Sequence, residues 1–391
     1  MVSRRSRWEY FRAVYGRYRT AGAKEREKML DEFCSNTSYN RKYAIRLMNG
    51  PEPEKSPPAR RRRKAHYRGK LIGLLSAVWE AAGYPWSVRL KAVLPLWMPW
   101  IRKRFCPDAG TEEKLLKISP ATMDRHLKSR KQGIRKRLYG RTRPGSLLKH
   151  QIPIKTDTWD VKEAGFVEVD LVSHSGNRGD GEFVHSLNMT DIHTGWVETR
   201  AVLGKGQTGI VAAVEQMRQS LPFPLRGIDS DNGSEFINYH LKSYCNRRRI
   251  QFTRGRPYKK DDNAHIEQKN WTHVRKIFGY LRFDSISVLE KMNDLYSGDL
   301  RVYQNLFQPS TKLLRKTRVG SRLRREYEPP KTPLERVRDC SQADPAKLAQ
   351  LNQTFQKQDP FELSRSIDRK LENIFKLANA RWSPRPGTAG A

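Results

Sequence analysis

At Gly165 the periodicity of the chain changes, and this change constrains the fold more than any other feature. In FVEVDLV (166–172), Val167, Val169 and Leu171 alternate with Glu168 and Asp170, the period of a strand whose two faces differ. The turn SHSGNRGDG leads to a second strand in EFVHSLNMTDI, and HTG leads to a third in WVETRAV. A helical pattern then covers about 207–220, a short strand ends near Asp229, and a helix runs from Glu235 to about Arg248. The strand IQFTRGR and a helix from about Asn263 to Tyr280 complete the series. Three strands in meander, followed by helix, strand, helix, strand, helix, predict an α/β mixed five-stranded sheet with flanking helices.

The residues before this sheet are read as all-α. Residues 1–49 carry apolar positions Met29, Leu30 and Phe33, a break at SNTSYN and a second helical stretch RKYAIRLM, which suggests a helix-turn-helix-like module. The stretch GPEPEKSPPARRRRK, with four prolines and a basic run, is a linker over 50–64. A second helix-turn-helix DNA-binding module is expected over 65–148. In its ISPATMDRHLKSRK, Ser119 can cap a helix with Pro120 in the first turn and Met123 and Leu127 inward, leaving Arg125, His126 and Lys128 outward. The sheet domain then spans 150–305. The rest, 306–391, is basic, partly extended, then helical, with a disordered end.

Charge follows the same divisions. Residues 1–150 hold 37 Lys and Arg against 12 Asp and Glu, residues 151–300 hold 20 against 20, and residues 301–391 hold 19 against 9. A formal charge of +35 excludes an ordinary metabolic enzyme and implies a polyanionic partner, nucleic acid first. No apolar run of about 18 residues exists, and the start MVSRRSRWEYFRAV lacks a signal peptide's apolar core, so no membrane role and a cytoplasmic, nucleoid-associated location are expected. The four cysteines lie far apart without zinc-finger spacing.

A balanced centre between basic arms is where acids would act. DSDNGSEF (229–236) gathers Asp229, Asp231 and Glu235 at a turn. A calcium loop fails on register, because His240 falls where the last ligand should stand. A strand-to-helix turn with an Asp or Asn cap remains open on this stretch alone.

The stretches VEVDLV, DSDNGSEF and DDNAHIEQKN, with Glu267 standing 36 positions after Asp231, resemble the transposase and retroviral-integrase superfamily over about residues 150–310. ISPATMDRHL is similar to the DNA-binding part of bacterial transposases with an integrase-type core. The resemblance implies a ribonuclease-H-like sheet on which Asp170, Asp231 and Glu267 form a catalytic triad. The triad would hold two Mg2+ ions, with Mn2+ as substitute, and Asp170 would bridge both. The family pattern also selects Asp231, which adjoins Asn232 and Gly233, over Asp229. Asn263 and Asn270 share the helix face of Glu267 and could touch the DNA backbone, and Lys269 could contact DNA. Paired His and paired Cys of a retroviral N-terminal zinc domain are absent, which favours a bacterial mobile-element transposase.

The implied function is binding of element ends followed by metal-dependent cleavage and strand transfer into target DNA. The partners would be double-stranded DNA and further copies of the chain in a synaptic complex. A nuclease that only hydrolyses, or a DNA-binding regulator with an inactive core, are the alternatives. Whether a helper ATPase takes part is open.

Overall fold

The computed structural model describes residues 4–51, 67, 69–132, 161, 163–230, 236, 238–254, 266, 269–319 and 322–378. They fall into two compact units, Met1–His66 and Tyr67–Ala391. The first contains α1 (Arg4–Thr20), α2 (Ala23–Thr37) and α3 (Arg41–Asn49). Their apolar faces meet in a core of Phe11, Phe33, Ala44 and Met48, all fully buried. The break that the sequence shows at SNTSYN arises because Ser38 turns left-handed (φ 56°) to end α2, and the Asn40 side chain accepts from Lys42 N to start α3.

In the second unit, α4 (Lys70–Ala81), α5 (Ser87–Phe105), α6 (Ala109–Lys117) and α7 (Pro120–Gln132) precede the sheet. Its strands are β1 (Phe166–Ser173), β2 (Val184–Asp191), β3 (Val197–Leu203), β4 (Gly227–Ser230) and β5 (Gln251–Arg254), in the order β3-β2-β1-β4-β5. β1, β2 and β3 are antiparallel neighbours, whereas β4 and β5 run parallel to β1. This is the mixed sheet with flanking helices expected from the element order. α8 (Gln207–Ser220) crosses from β3 to β4, and α9 (Tyr239–Arg248) from β4 to β5.

The entry to β1 is held from the other end of β2. Asp191 is the buried last residue of β2. Its carboxylate accepts from Gly165 N (2.8 Å) and from Thr194 N and Oγ1 (2.7 and 2.6 Å). Burial raises its pKa and these donors oppose the rise. Gly165 needs to be glycine, since its φ is 110° and a Cβ there would stand 2.3 Å from Pro224 O.

The region 65–148, read from sequence as a module of its own, shares one hydrophobic core with the sheet layers as far as it is described. Leu71, Leu75, Val78, Leu90, Leu94, Trp97 and Met123 belong to the same buried cluster as Val167, Leu187 and Ile228. After β5 come a π-helical turn Asn270–Arg275, α10 (Lys276–Phe278), α11 (Ile286–Leu295), a second π-helical turn Tyr296–Leu300 and α12 (Arg301–Leu306).

The C-terminal region begins as paired extended chain and continues as helices. It opens as an antiparallel ribbon of β6 (Leu313–Val319) and β7 (Arg322–Tyr327), then forms α13 (Pro333–Arg338), α14 (Pro345–Lys357) and α15 (Pro360–Leu377). Asp344 and Asp359 cap the last two, each followed by proline in the first turn. The expected disordered end and most of the 50–64 linker lie outside the described residues. No helix among the described residues is long and apolar enough to cross a membrane. Of the four cysteines, Cys245 is buried, and burial pushes its thiol up to about 12. Cys34 and Cys340 are half-buried and Cys106 is exposed.

Candidate active site

Asp170 stands in the middle of β1, opposite Asn188 of β2 in register. Its Oδ1 accepts from Leu171 N (2.7 Å) and its Oδ2 from Asn270 Nδ2 (2.5 Å). Asn270 Oδ1 in turn accepts from Asn188 Nδ2 (2.8 Å). Three residues separated widely in sequence thus close on one another, and two of them, Asn188 and Asn270, are buried. Asn270 is the first residue of the π-helical turn, where the wider winding is a local departure common at functional sites.

Two residues earlier on β1, the buried carboxylate of Glu168 accepts from Ile266 N (2.9 Å). The segment from Ile266 to Asn270 is therefore fastened to β1 at both ends, at Glu168 and at Asp170. Glu267 lies between these fastenings in sequence. On the other side of β1, Ser230 is the Cα partner of Val169 and Asp229 that of Glu168. β4 thus ends one residue before Asp231, level with the residue before Asp170. Asp229 is fully buried and its Oδ1 accepts from Thr253 Oγ1 (2.7 Å), which gives it a place in the β4–β5 pairing.

Asp231, Glu267 and Asn263 lie outside the described residues. Among the described residues no group of three His, Cys, Asp or Glu could hold a metal ion. Asp170 does offer hard carboxylate oxygen, the donor type that Mg2+ takes, and the Asn270 amide orients it as a second layer would.

Lys269, the neighbour of Asn270, is partly buried. Burial first, then Arg89 and Arg336, lower its pKa to about 7. Of the α7 residues expected to face outward, Arg125 and Lys128 are exposed, with Met123 and Leu127 fully buried beneath them. His126 departs from that expectation. It is half-buried, its ring edge-on to Tyr67 at 6.2 Å between centroids.

Sequence reasoning missed Asn188 and Glu168. Asn188 sits in a strand that is buried along its whole length, where an amide needs a partner, and that was a signal in EFVHSLNMTDI. Its partner could not be named without the register of β1 against β2. Asn270→Asp keeps an oxygen for Asn188 but sets a second carboxylate against Asp170. Repulsion should raise the pKa of Asp170, read as an upward move of its carboxyl titration by NMR. Asn270→Ala should leave that titration without the displacement. Profiles of the two variants that superimpose would remove Asn270 from the control of Asp170.

No family model matches the sequence. The chain is 38% identical over 338 residues to the uncharacterized protein y4rM of Sinorhizobium fredii, a match covering 86% of this chain and 96% of that protein. Among solved structures, the catalytic core domain of BIV integrase aligns at 16% identity with a TM-score of 0.28, over 44% of this chain and 91% of its own. The HTLV-2 integrase catalytic core domain, solved in complex with magnesium, aligns at 13% and 0.29, over 38% and 91%. The strand pairings establish the order of the sheet without these likenesses.

Proposed function

The chain belongs to the family of the uncharacterized Sinorhizobium fredii protein y4rM, and we propose that it is a DNA transposase, cleaving at mobile-element ends and transferring strands into target DNA. The observation that carries this reading is the double fastening of β1. β4 ends at Ser230, one residue before position 231 and level with Val169, and on either side of position 267 Ile266 is bonded to Glu168 and Asn270 to Asp170. Three acids from positions 170, 231 and 267 would then share one end of the sheet.

In this reading Asp170, Asp231 and Glu267 would hold Mg2+. When bound, the metal stabilises charge on the attacking and leaving oxygens of the scissile phosphodiester. The chain's own residues do the positioning. Asn270 holds the Asp170 carboxylate in one orientation, and Asn188 fixes which way the Asn270 amide points. Arg125 and Lys128 on α7 supply cations to the DNA backbone or base edges; nearer the acids, Lys269 and the neutral amide of Asn263 would contact the backbone. Joining two ends to one target takes at least two protomers, so a homo-oligomeric complex is part of the proposal.

The test uses the full chain, supercoiled plasmid and linear duplexes carrying the DNA that flanks its gene on either side, with Mg2+ or Mn2+. Joined products expected from a transposase would separate it from a nuclease, which leaves cut DNA only. Binding with neither product would indicate a regulator and overturn the proposal.

A further inference from the structure

The β6–β7 ribbon is built unlike the rest of the second unit. Over residues 313–327 it carries six basic residues, Arg315, Lys316, Arg318, Arg322, Arg324 and Arg325, against the single acid Glu326. The register sets position 316 opposite Arg325 and position 318 opposite 323. Arg318, Arg324 and Arg325 are exposed, as are Leu314 (65%) and Tyr327 (54%). Glu326 stands 3.7 Å from Arg324 Nε in an exposed pair that contributes little. Arg318 and Arg325 make no ion pair among the described residues.

A two-stranded ribbon on its own is marginal in water. This one is supported at its root instead. Ser310 and Lys331 exchange backbone hydrogen bonds (2.8 and 3.2 Å), and Glu328 N donates to Lys312 O (2.9 Å). Lys312 Nζ donates to His193 O (3.0 Å) in the β2–β3 turn. The buried Arg336 of α13 donates to Thr194 O (3.3 Å) in that turn, to Ser310 O (2.6 Å) and to Glu328 Oε1 (2.8 Å). The root is thereby tied to the sheet that bears Asp170, while Arg318, Arg324 and Arg325 along the charged length are exposed.

We propose that the β6–β7 ribbon is a duplex-DNA-binding arm that lies in a groove with Arg318, Arg324 and Arg325 on the phosphates; this rests on the reading of the chain as a DNA-processing protein. The major groove admits a two-stranded ribbon. An anion would balance Arg318 and Arg325, which make no ion pair among the described residues. Pairing of the ribbon's edge with a second copy is disfavoured by the same charge, since it would set arginines against arginines.

The test is fluorescence anisotropy of full-length Asp170→Asn protein on a random 30-base-pair duplex across a KCl series. Charge reversal at Arg318, Arg324 and Arg325 together should flatten the slope of log affinity against log salt by about 2–3, at roughly 0.9 per phosphate. Affinity at 0.1 M salt should fall on the order of 10²-fold. The Arg→Lys triple should keep nearly the parent slope, and equal melting curves for the two triples show that charge, not folding, is responsible.

A reversed triple with the parent slope overturns the ribbon, as does an intact chain with a slope near zero. A parent slope with a lost dimer in sedimentation assigns the ribbon to a second copy instead. If the parent protein carrying Asp170 joins no DNA yet the slope still falls, the transposase reading fails and the arm stands.

Discussion

Asp231→Asn should abolish joining of DNA ends to a target while Asp229→Asn retains it. The two acids are two residues apart, yet the structure gives them different circumstances. Asp229 is the third residue of β4, fully buried, level with Glu168 in register and accepting from Thr253 Oγ1. An asparagine there keeps an oxygen for Thr253, so the β4–β5 pairing survives. Asp231 is the next residue in sequence after β4, whose last residue Ser230 is level with Val169. As a ligand in the proposed triad it would lose its charge on becoming an amide, and joined product should fall to the detection limit with melting unchanged. Gel assays of strand transfer and thermal melts of both variants decide the matter. Equal loss of joining with equal melts would transfer the role to Asp229.

Trp97→Ala should be the most destabilising single change in the second unit. The indole is fully buried, its Nε1 donates to Phe307 O (3.1 Å), and its ring meets Phe361 edge-on at 5.2 Å and Tyr303 at 6.3 Å. One side chain of α5 therefore links α12 and α15. Truncation should cost about 3–5 kcal/mol from cavity and transfer effects. The Phe307 carbonyl, left without its donor, adds on the order of 1 kcal/mol. By the usual scaling for a unit of this size, Tm should drop by roughly 10 °C. Calorimetry on the full chain checks this, and a drop under about 2 °C would mean that the site collapses around the alanine. The same contacts predict that a fragment ending near residue 150 leaves α4–α7 without half of their core. Such a fragment should not fold beyond its first three helices.

Much of the fold was legible because it is written in local periodicity. The alternation in FVEVDLV, the caps Asn40, Ser119, Asp344 and Asp359, and the prolines after the last three all act over a few residues. The helix α7, with Met123 and Leu127 inward, follows from its own spacing for the same reason. The ribbon was not legible in this way. RKTRV and RLRREY are too charged to show an apolar alternation, and their pairing is supported by a root that Lys312 and Arg336 tie to the distant β2–β3 turn.

By itself the sequence determined the order of strands and helices, the concentration of positive charge outside residues 151–300, and Asp170 as an acid on the first strand. Those properties depend on neighbours within one turn or one strand. Only the tertiary structure decided that Asn188, Asn270 and Asp170 form one chain of hydrogen bonds, that Asp229 is spent on Thr253, and that α4–α7 share the core of the sheet. Each joins residues that lie far apart along the chain. Their contacts come from strand register and from apolar area removed from water, neither of which any short window of residues contains.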